Sequence, residues 1–234
     1  MATYLELCQQ VAAESGTISG VQPSSVTGQT DRLALIVRHV RDAWVEIQVS
    51  RDNWRFMRKT FAGDLTAGTA CYTPASFNLT DLARWVTDNI SDFDDDALSL
   101  YKTSAGRADE GVIQQIDWAR WRRLYDRGVH DANRPVVYAI SPANELCFGP
   151  TPDAGYTVRG EYYRTPQRLA EDDDVPIMPE RFHTAIVWKA LAKLGAHDEG
   201  EWPVQWANGS YQGILDDLLR DQTPPTGIDW EPLA

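Results

Sequence analysis

The sequence predicts an α+β protein in which helices from both ends of the chain form a bundle around an inserted antiparallel β region. Apolar residues recur at the helical period near both ends, and the stretch between them breaks into short segments separated by Gly and Pro. We therefore expect residues 1–54 and 178–221 to form a discontinuous helical bundle. Residues 55–177 should form the β-rich insertion with one short helix, and residues 222–234 an extended C-terminal tail.

Two helices are predicted at the N-terminal end. Thr3 and Glu6 have the spacing of a capping box, which pairs free backbone N–H groups at a helix start, and Gly16 provides a stop. A second helix over about 31–53 is predicted by an apolar face at the helical period, consisting of Leu33, Ile36, Val37, Val40, Trp44 and Ile47. The first helix is short and needs a packing partner.

The middle of the chain is predicted to be a β-meander, the simplest antiparallel arrangement. RFMRKTFA and TACYT flank a glycine-containing turn, and PVVYAI and ELCFG flank a tight connection at 141–144. Residues 156–162 alternate between apolar and polar side chains, as along a half-buried strand. One helix, about 116–127, interrupts this region. It has Trp118, Trp121 and Tyr125 on one side and Arg120, Arg123 and Arg127 largely on the other.

Two further helices are predicted after Pro179, which suits a first helical turn. One runs to Gly195 and is apolar nearly all round, and the last covers about 201–220. Gly209 and Gly213 lie four residues apart on one face of the last helix, which predicts a close backbone approach in the bundle.

Composition and charge bound the class of protein. A chain of 234 residues with 43% hydrophobic content can bury a sizeable core without disulfides, and no stretch is apolar for long enough to span a membrane. Cys8, Cys71 and Cys147 are odd in number and widely separated, which favours a reducing compartment. The net charge of −12 argues against a protein whose main task is binding nucleic acid.

Catalytic, cofactor and metal motifs are absent from the sequence, so we expect neither an enzyme nor a cofactor or metal site. The histidines, His39, His130, His183 and His197, lack zinc-ligand spacing. The acidic run 92–96 has the start of a calcium loop, but Ala97 and Thr103 occupy the positions that need Gly and Glu. A second run, 171–174, is typical of a charged connector.

Two clusters combine basic and aromatic residues, at 51–59 and 118–127. Such clusters can contact nucleic acid through phosphates and base stacking. Tryptophan at helical spacing more often packs a core or an interface while arginine stems cover its edge. Arg120, Arg123 and Arg127 are therefore candidates for either DNA or interface contacts.

The sequence contains these strings in order: YLELCQQ near the start, VTGQTDRLALIVRHVRDAWVEIQVSRDNWRFMRKTF at 26–61, LARW at 82–85, RPVVYAISP at 134–142, FGPTP at 148–152 and VRGEYYRTPQRLAEDDDVPIMPERFH at 158–183. In their order and spacing, the strings resemble those of the head-to-tail adaptor (connector) proteins of tailed bacteriophages. The resemblance implies a non-enzymatic virion protein, made in the bacterial host cytoplasm and located at the head–tail junction. It further implies a ring, of twelve copies, beneath a dodecameric portal, which contacts a downstream tail or stopper component and lets double-stranded DNA pass through its channel.

The tail at 222–234 is the other candidate binding segment, for the portal or for a neighbouring copy. Pro224 and Pro225 favour an extended chain, and Ile228, Trp230 and Leu233 are spaced apolar anchors. Packing of the tail on its own fold is the alternative.

Two other functions stay open at this stage. A tail-associated carbohydrate-binding module is suggested by aromatic residues in the β-rich middle, and loss of glycan affinity on replacing Trp85 would support it. Trp44, Trp188 and Trp206 fall instead on predicted helices, where packing is the simpler role. An enzyme with a dispersed active site is disfavoured because no nucleophile, base or metal set is visible.

Overall fold

A computed structural model describes residues 2–16, 22–87, 98–198 and 201–223, without the side chains of 201–203. Two compact units account for the chain. The first combines Met1–Met57 with Pro166–Ala234, and the second is Arg58–Thr165.

Helices build the first unit. They are α1 (Tyr4–Glu14), α2 (Asp31–Val49), α4 (Thr184–His197) and α5 (Glu201–Gln222), whereas the short α3 (Trp118–Trp121) belongs to the second unit. The predicted capping box is confirmed, since the Thr3 hydroxyl accepts the Glu6 amide at 3.2 Å and the Glu6 carboxylate accepts the Thr3 amide at 2.9 Å. The stop at Gly16 is also confirmed, by a φ of +60° that suits glycine.

The centre of the helical unit is α4, which packs against α1, α2 and α5. Its apolar side chains lie nearly all round the helix, so it can be buried on several sides at once. Helix α2 ends four residues before its predicted end at 53. The reason is Trp54, whose indole N–H turns back to the carbonyl of Ile47 at 3.0 Å and whose ring stacks on Phe56.

The acidic connector 171–174 accepts hydrogen bonds from backbone amides of the helical unit. The carbonyls of Asp174 and Asp172 accept the amides of Tyr4 and Leu5 at 2.7 and 3.2 Å, at the start of α1. The Asp172 carboxylate accepts the amide of Val26 at 2.6 Å. These contacts agree with a connector that fixes the N-terminal helix.

The predicted close backbone approach at Gly209 and Gly213 of α5 is wrong for the described part of the chain. A Cβ added at Gly209 or Gly213 would meet no heavy atom of the described residues within 4 Å, so no backbone among them approaches these glycines closely. Both residues are exposed. Their spacing matched a packing motif, but the face of α5 that contains them points away from the helix's described neighbours.

The second unit contains an eight-stranded sheet among the described residues. Its strands are β1 (Arg58–Leu65), β2 (Cys71–Tyr72), β3 (Leu82–Trp85), β4 (Leu98–Lys102), β5 (Gly111–Gln115), β6 (Val137–Ile140), β7 (Leu146–Gly149) and β8 (Tyr156–Arg164). The order is β1-β8-β4-β5-β6-β7-β2, and β3 also pairs with β8. The pair β5–β6 is parallel and the other pairs are antiparallel.

Chain connectivity forces this sheet to curl. Strands β1 and β2 stand at opposite ends of the strand order, yet only residues 66–70 join them. A flat sheet with strands about 4.8 Å apart would separate them by about 29 Å. The extended link reaches only about 22 Å. The curled sheet encloses an aromatic core in which the ring of Phe61 lies 5.1 Å from Trp85 and 5.6 Å from Phe77.

The predicted fold class, a helical bundle with an inserted antiparallel β region, is therefore wrong. The β-structure is a large mixed sheet with its own core and one parallel pair, not a small antiparallel meander. Only the β6–β7 hairpin, turning at residues 141–144, was predicted with its partner. Strands β1 and β2 do not pair with each other, because each finds a partner more than 70 residues along the chain.

Two of the three cysteines form a disulfide, which the scattered spacing of the cysteines did not predict. The antiparallel register of β2 and β7 places Cys71 opposite Cys147, and the two are disulfide-bonded although they are 76 residues apart. Cys8 is free and buried in α1. Sequence spacing could not reveal this pair, because only the folded register brings the residues together.

Candidate interaction surface

The arginines singled out in the sequence lie on and just after α3. Arg120 is in α3, Arg123 is in the π-helical turn Arg122–Asp126 that continues it, and Arg127 follows that turn. All three side chains are exposed. The other candidate residues, Pro224, Pro225, Ile228, Trp230 and Leu233, lie outside the described residues.

Local capping determines where α3 begins. Asp117 is its N-cap, and its carboxylate accepts the amides of Ala119 at 2.9 Å and Arg120 at 3.2 Å. These bonds pair donors that the first helical turn leaves free. The predicted start at 116 was thus two residues early.

Aromatic packing fixes α3 to the sheet. Trp121 is buried in a cluster with Ile116, Ala139 and Cys147, and Trp118 stacks on it with ring centroids 5.2 Å apart at 7°. The ring of Tyr125 covers Gly149 of β7 so closely that a Cβ there would lie 2.6 Å from it. The aromatic side of the predicted helix is therefore its packed side, and the arginines face outward.

The outward face is basic and contains few compensating charges. Arg122 pairs with Asp126 at 3.5 Å, with both side chains about half exposed. Among the described residues, no carboxylate lies within 4.0 Å of the guanidinium groups of Arg120, Arg123 or Arg127. We call these three residues, with the exposed Leu124 and Val129 beside them in the chain, the α3 surface.

Free guanidinium groups can bind carboxylates or phosphates, often with two parallel hydrogen bonds. The α3 surface therefore has the chemistry of a binding site for an anionic partner. It offers no nucleophile or general base.

Sequence reasoning missed an ion pair that ties together two segments of the second unit. Arg134 donates to both carboxylate oxygens of Asp109, at 2.7 and 2.8 Å, and to the carbonyls of Asp109 and Leu100. The amide of Lys102 also donates to this carboxylate, and these contacts hold the pKa of Asp109 below its usual value. No local sequence signal could have found a pair separated by 25 residues.

The second basic and aromatic cluster, 51–59, contributes its aromatic rings to the protein interior. Trp54 is buried, and Phe56 stacks on both Trp54 and Trp44. These rings are not available to stack on bases.

Trp85, whose replacement would test the carbohydrate-binding alternative, is only 2% exposed. Its indole N–H donates to the carbonyl of Asn144 at 3.0 Å. A buried ring cannot offer a face to a sugar. Trp44, Trp188 and Trp206 lie on α2, α4 and α5 as predicted.

The histidines and acidic runs show no metal-binding arrangement in the described ranges. His183 is buried and its Nε2 lies 2.9 Å from the carbonyl of Met178. The ring centroids of His39 and His197 are 6.4 Å apart. The pKa of His39 is lowered, mainly because the ring is partly buried. The run 92–96 lies outside the described residues.

The chain is similar to a known protein family. The model of the SU10 adaptor protein family matches residues 2–228, nearly the whole chain. No curated protein matches it significantly. Of the helices that the structure describes, none is both long and apolar enough to cross a membrane.

Proposed function

The chain belongs to the SU10 adaptor protein family, and we propose that it forms a ring beneath the portal of a tailed bacteriophage and joins the capsid to the tail. The single observation that carries this proposal is the family match over residues 2–228. A match of that extent includes both compact units, so the adaptor role is assigned to the whole chain.

The proposed ring contains twelve copies, to match a dodecameric portal. Its charge supports a role as a DNA conduit, because twelve copies at −12 give 12 × −12 = −144. Acidic residues facing the channel repel the phosphate backbone and discourage DNA from adhering during passage. A map of the assembled ring with a lumen lined mainly by Arg and Lys would contradict this part of the proposal.

The proposed role is structural rather than catalytic. Its partners are the portal, copies of the same chain and the next tail or stopper component. We place the protein at the head–tail junction of the virion, after synthesis in the host cytoplasm.

Binding to isolated portal rings tests the proposal. Purified portal rings are mixed with increasing amounts of the full chain, and the complex is weighed by native mass spectrometry. We expect saturation at one copy per portal subunit. Absence of binding, or a saturating ratio unrelated to the portal symmetry, would overturn the proposed function.

A further inference from the structure

The α3 surface concentrates positive charge on a strongly acidic chain. Arg120, Arg123 and Arg127 are exposed and have no carboxylate within 4.0 Å in the described residues, although the chain has a net charge of −12. Copies with this net charge repel one another. An interface between copies therefore needs local patches of opposite sign.

Exposed apolar side chains accompany the arginines. Leu124 is 43% exposed within the same turn, and Val129, two residues after Arg127, is fully exposed. Arginine combined with exposed apolar groups is typical of a protein interface, where Arg is enriched and apolar area is removed from water. Sequence-independent binding of passing DNA rests on phosphate contacts, which depend on cationic and polar groups and do not use an exposed Val or Leu.

The C-terminal segment 224–234 has the complementary chemistry. It contains Asp229 and Glu231 on either side of Trp230, and no Lys or Arg. Pro224 and Pro225 disfavour a continued helix, and the segment can extend about 35 Å. Its acidic groups match the guanidinium groups of the α3 surface, and its aromatic ring matches Leu124 and Val129.

We propose that segment 224–234 of one copy docks on the α3 surface of a neighbouring copy. Asp229 and Glu231 pair with the arginines, and Trp230 covers the exposed aliphatic side chains. Two different patches that recognise each other on successive copies make a head-to-tail contact, the kind that closes into a ring. This inference rests on the proposed ring, and it assigns the tail to the neighbour rather than to the portal.

Photo-crosslinking with isotopically mixed copies tests the contact directly. Residue 230 is replaced by benzoylphenylalanine in the full chain, and normal and ¹⁵N-labelled copies are mixed in equal amounts, both free at high concentration and on portal rings. We expect cross-links from residue 230 to peptides within 118–136, joining one labelled and one unlabelled copy. Cross-links confined to single copies, to the portal or to other peptides, or no cross-links at all, would overturn the inference.

Charge exchange provides the specificity control. Arg120→Glu, Arg123→Glu and Arg127→Glu together should lower the intermolecular cross-link yield at least about ten-fold. Adding Asp229→Lys and Glu231→Lys to that variant should restore most of the yield. The matched control changes three exposed arginines elsewhere, Arg38→Glu, Arg51→Glu and Arg168→Glu, for the same change in net charge, and should leave the yield within about two-fold. Equal losses in both triple variants, or no rescue, would refute specific pairing.

Binding to duplex DNA tests the alternative that the α3 surface contacts DNA and not a neighbouring copy. A triple variant at 120, 123 and 127 that loses DNA retention but keeps its intermolecular cross-links would show that the surface contacts DNA, and the inference would fall. Portal rings that bind the chain at the expected ratio without the tail cross-link would leave the proposed function intact. A chain that cross-links between copies but does not bind portal rings would instead contradict the proposed function.

Discussion

Substitution of Gly149 by Ala tests whether the sheet positions the α3 surface as described. A Cβ at residue 149 would lie 2.6 Å from two ring carbons of Tyr125, against an ordinary contact of about 3.4–4 Å. The ring would have to move by about 1 Å, and overpacking of this kind costs about 1–3 kcal/mol. Without the clash, Ala would stabilise a strand by about 0.5–1 kcal/mol relative to Gly. The contact with Tyr125 thus decides the sign of the effect.

A double-mutant cycle measured by urea unfolding is the assay. We expect Gly149→Ala alone to lower the free energy of unfolding by about 2 kcal/mol. In a Tyr125→Ala background the same change should be neutral or slightly stabilising, a coupling of more than about 1 kcal/mol. If Gly149→Ala changes stability equally in both backgrounds, Tyr125 does not pack on β7 as described and the α3 surface lacks this anchor.

Three further predictions concern other parts of the chain. Gly209→Ala on the exposed face of α5 should raise the free energy of unfolding by up to about 1 kcal/mol, because a Cβ there meets no atom of the described residues within 4 Å and Ala favours helix. A lower melting temperature would instead show a hidden close contact. Gln48→Leu should lower the free energy of unfolding, measured in urea, by about 2–4 kcal/mol. The reason is that the buried side-chain amide of Gln48 accepts the backbone N–H of Gln167 at 2.7 Å and donates to its carbonyl at 2.9 Å. A decrease below about 0.5 kcal/mol would contradict this role. The lowered pKa of Asp109 means that its carboxylate stabilises the fold at pH values above 3.8, and that this contribution is lost as pH falls through the lower folded pKa. An NMR titration should place the Asp109 midpoint below 3.8, and Arg134→Met should move it upward; a midpoint unchanged by that substitution would rule out the pairing.

The helices could be predicted from sequence because their determinants are local. The capping box joins Thr3 to Glu6, three residues away, and the apolar face of α2 or of α4 is formed by residues of that one helix. The ends were less predictable, since α2 stops where the Trp54 indole turns back to the carbonyl of Ile47, a contact that the helical period of the apolar residues does not reveal.

Strand pairing between distant segments could not be predicted from the sequence, and only the local β6–β7 hairpin was predicted with its partner. The strand β8 pairs with β1, which is about 100 residues earlier, and β5 pairs in parallel with β6 across the segment that contains α3. Alternation of apolar and polar residues identifies a strand but does not select its neighbour. The curl of the sheet follows from this pairing and so was also beyond sequence reasoning.

The candidate surface was predictable in part. Helical spacing separated the arginines from Trp118, Trp121 and Tyr125, and the structure has the aromatic residues on the packed side. The spacing could not identify Gly149 as the contact of Tyr125. Nor could it show that Arg120, Arg123 and Arg127 lack carboxylate partners within the part of the chain that the structure describes, since both findings depend on the folded chain.

Localisation in an intact virion is the most direct test of the adaptor role. Cryo-electron microscopy of the particle, with the chain identified by fitting its two compact units separately, would locate every copy. We predict a single ring of twelve copies at the head–tail junction, in contact with the portal and surrounding the DNA channel. Density for the chain at the distal tail or fibres, or a copy number unrelated to the portal symmetry, would contradict the account.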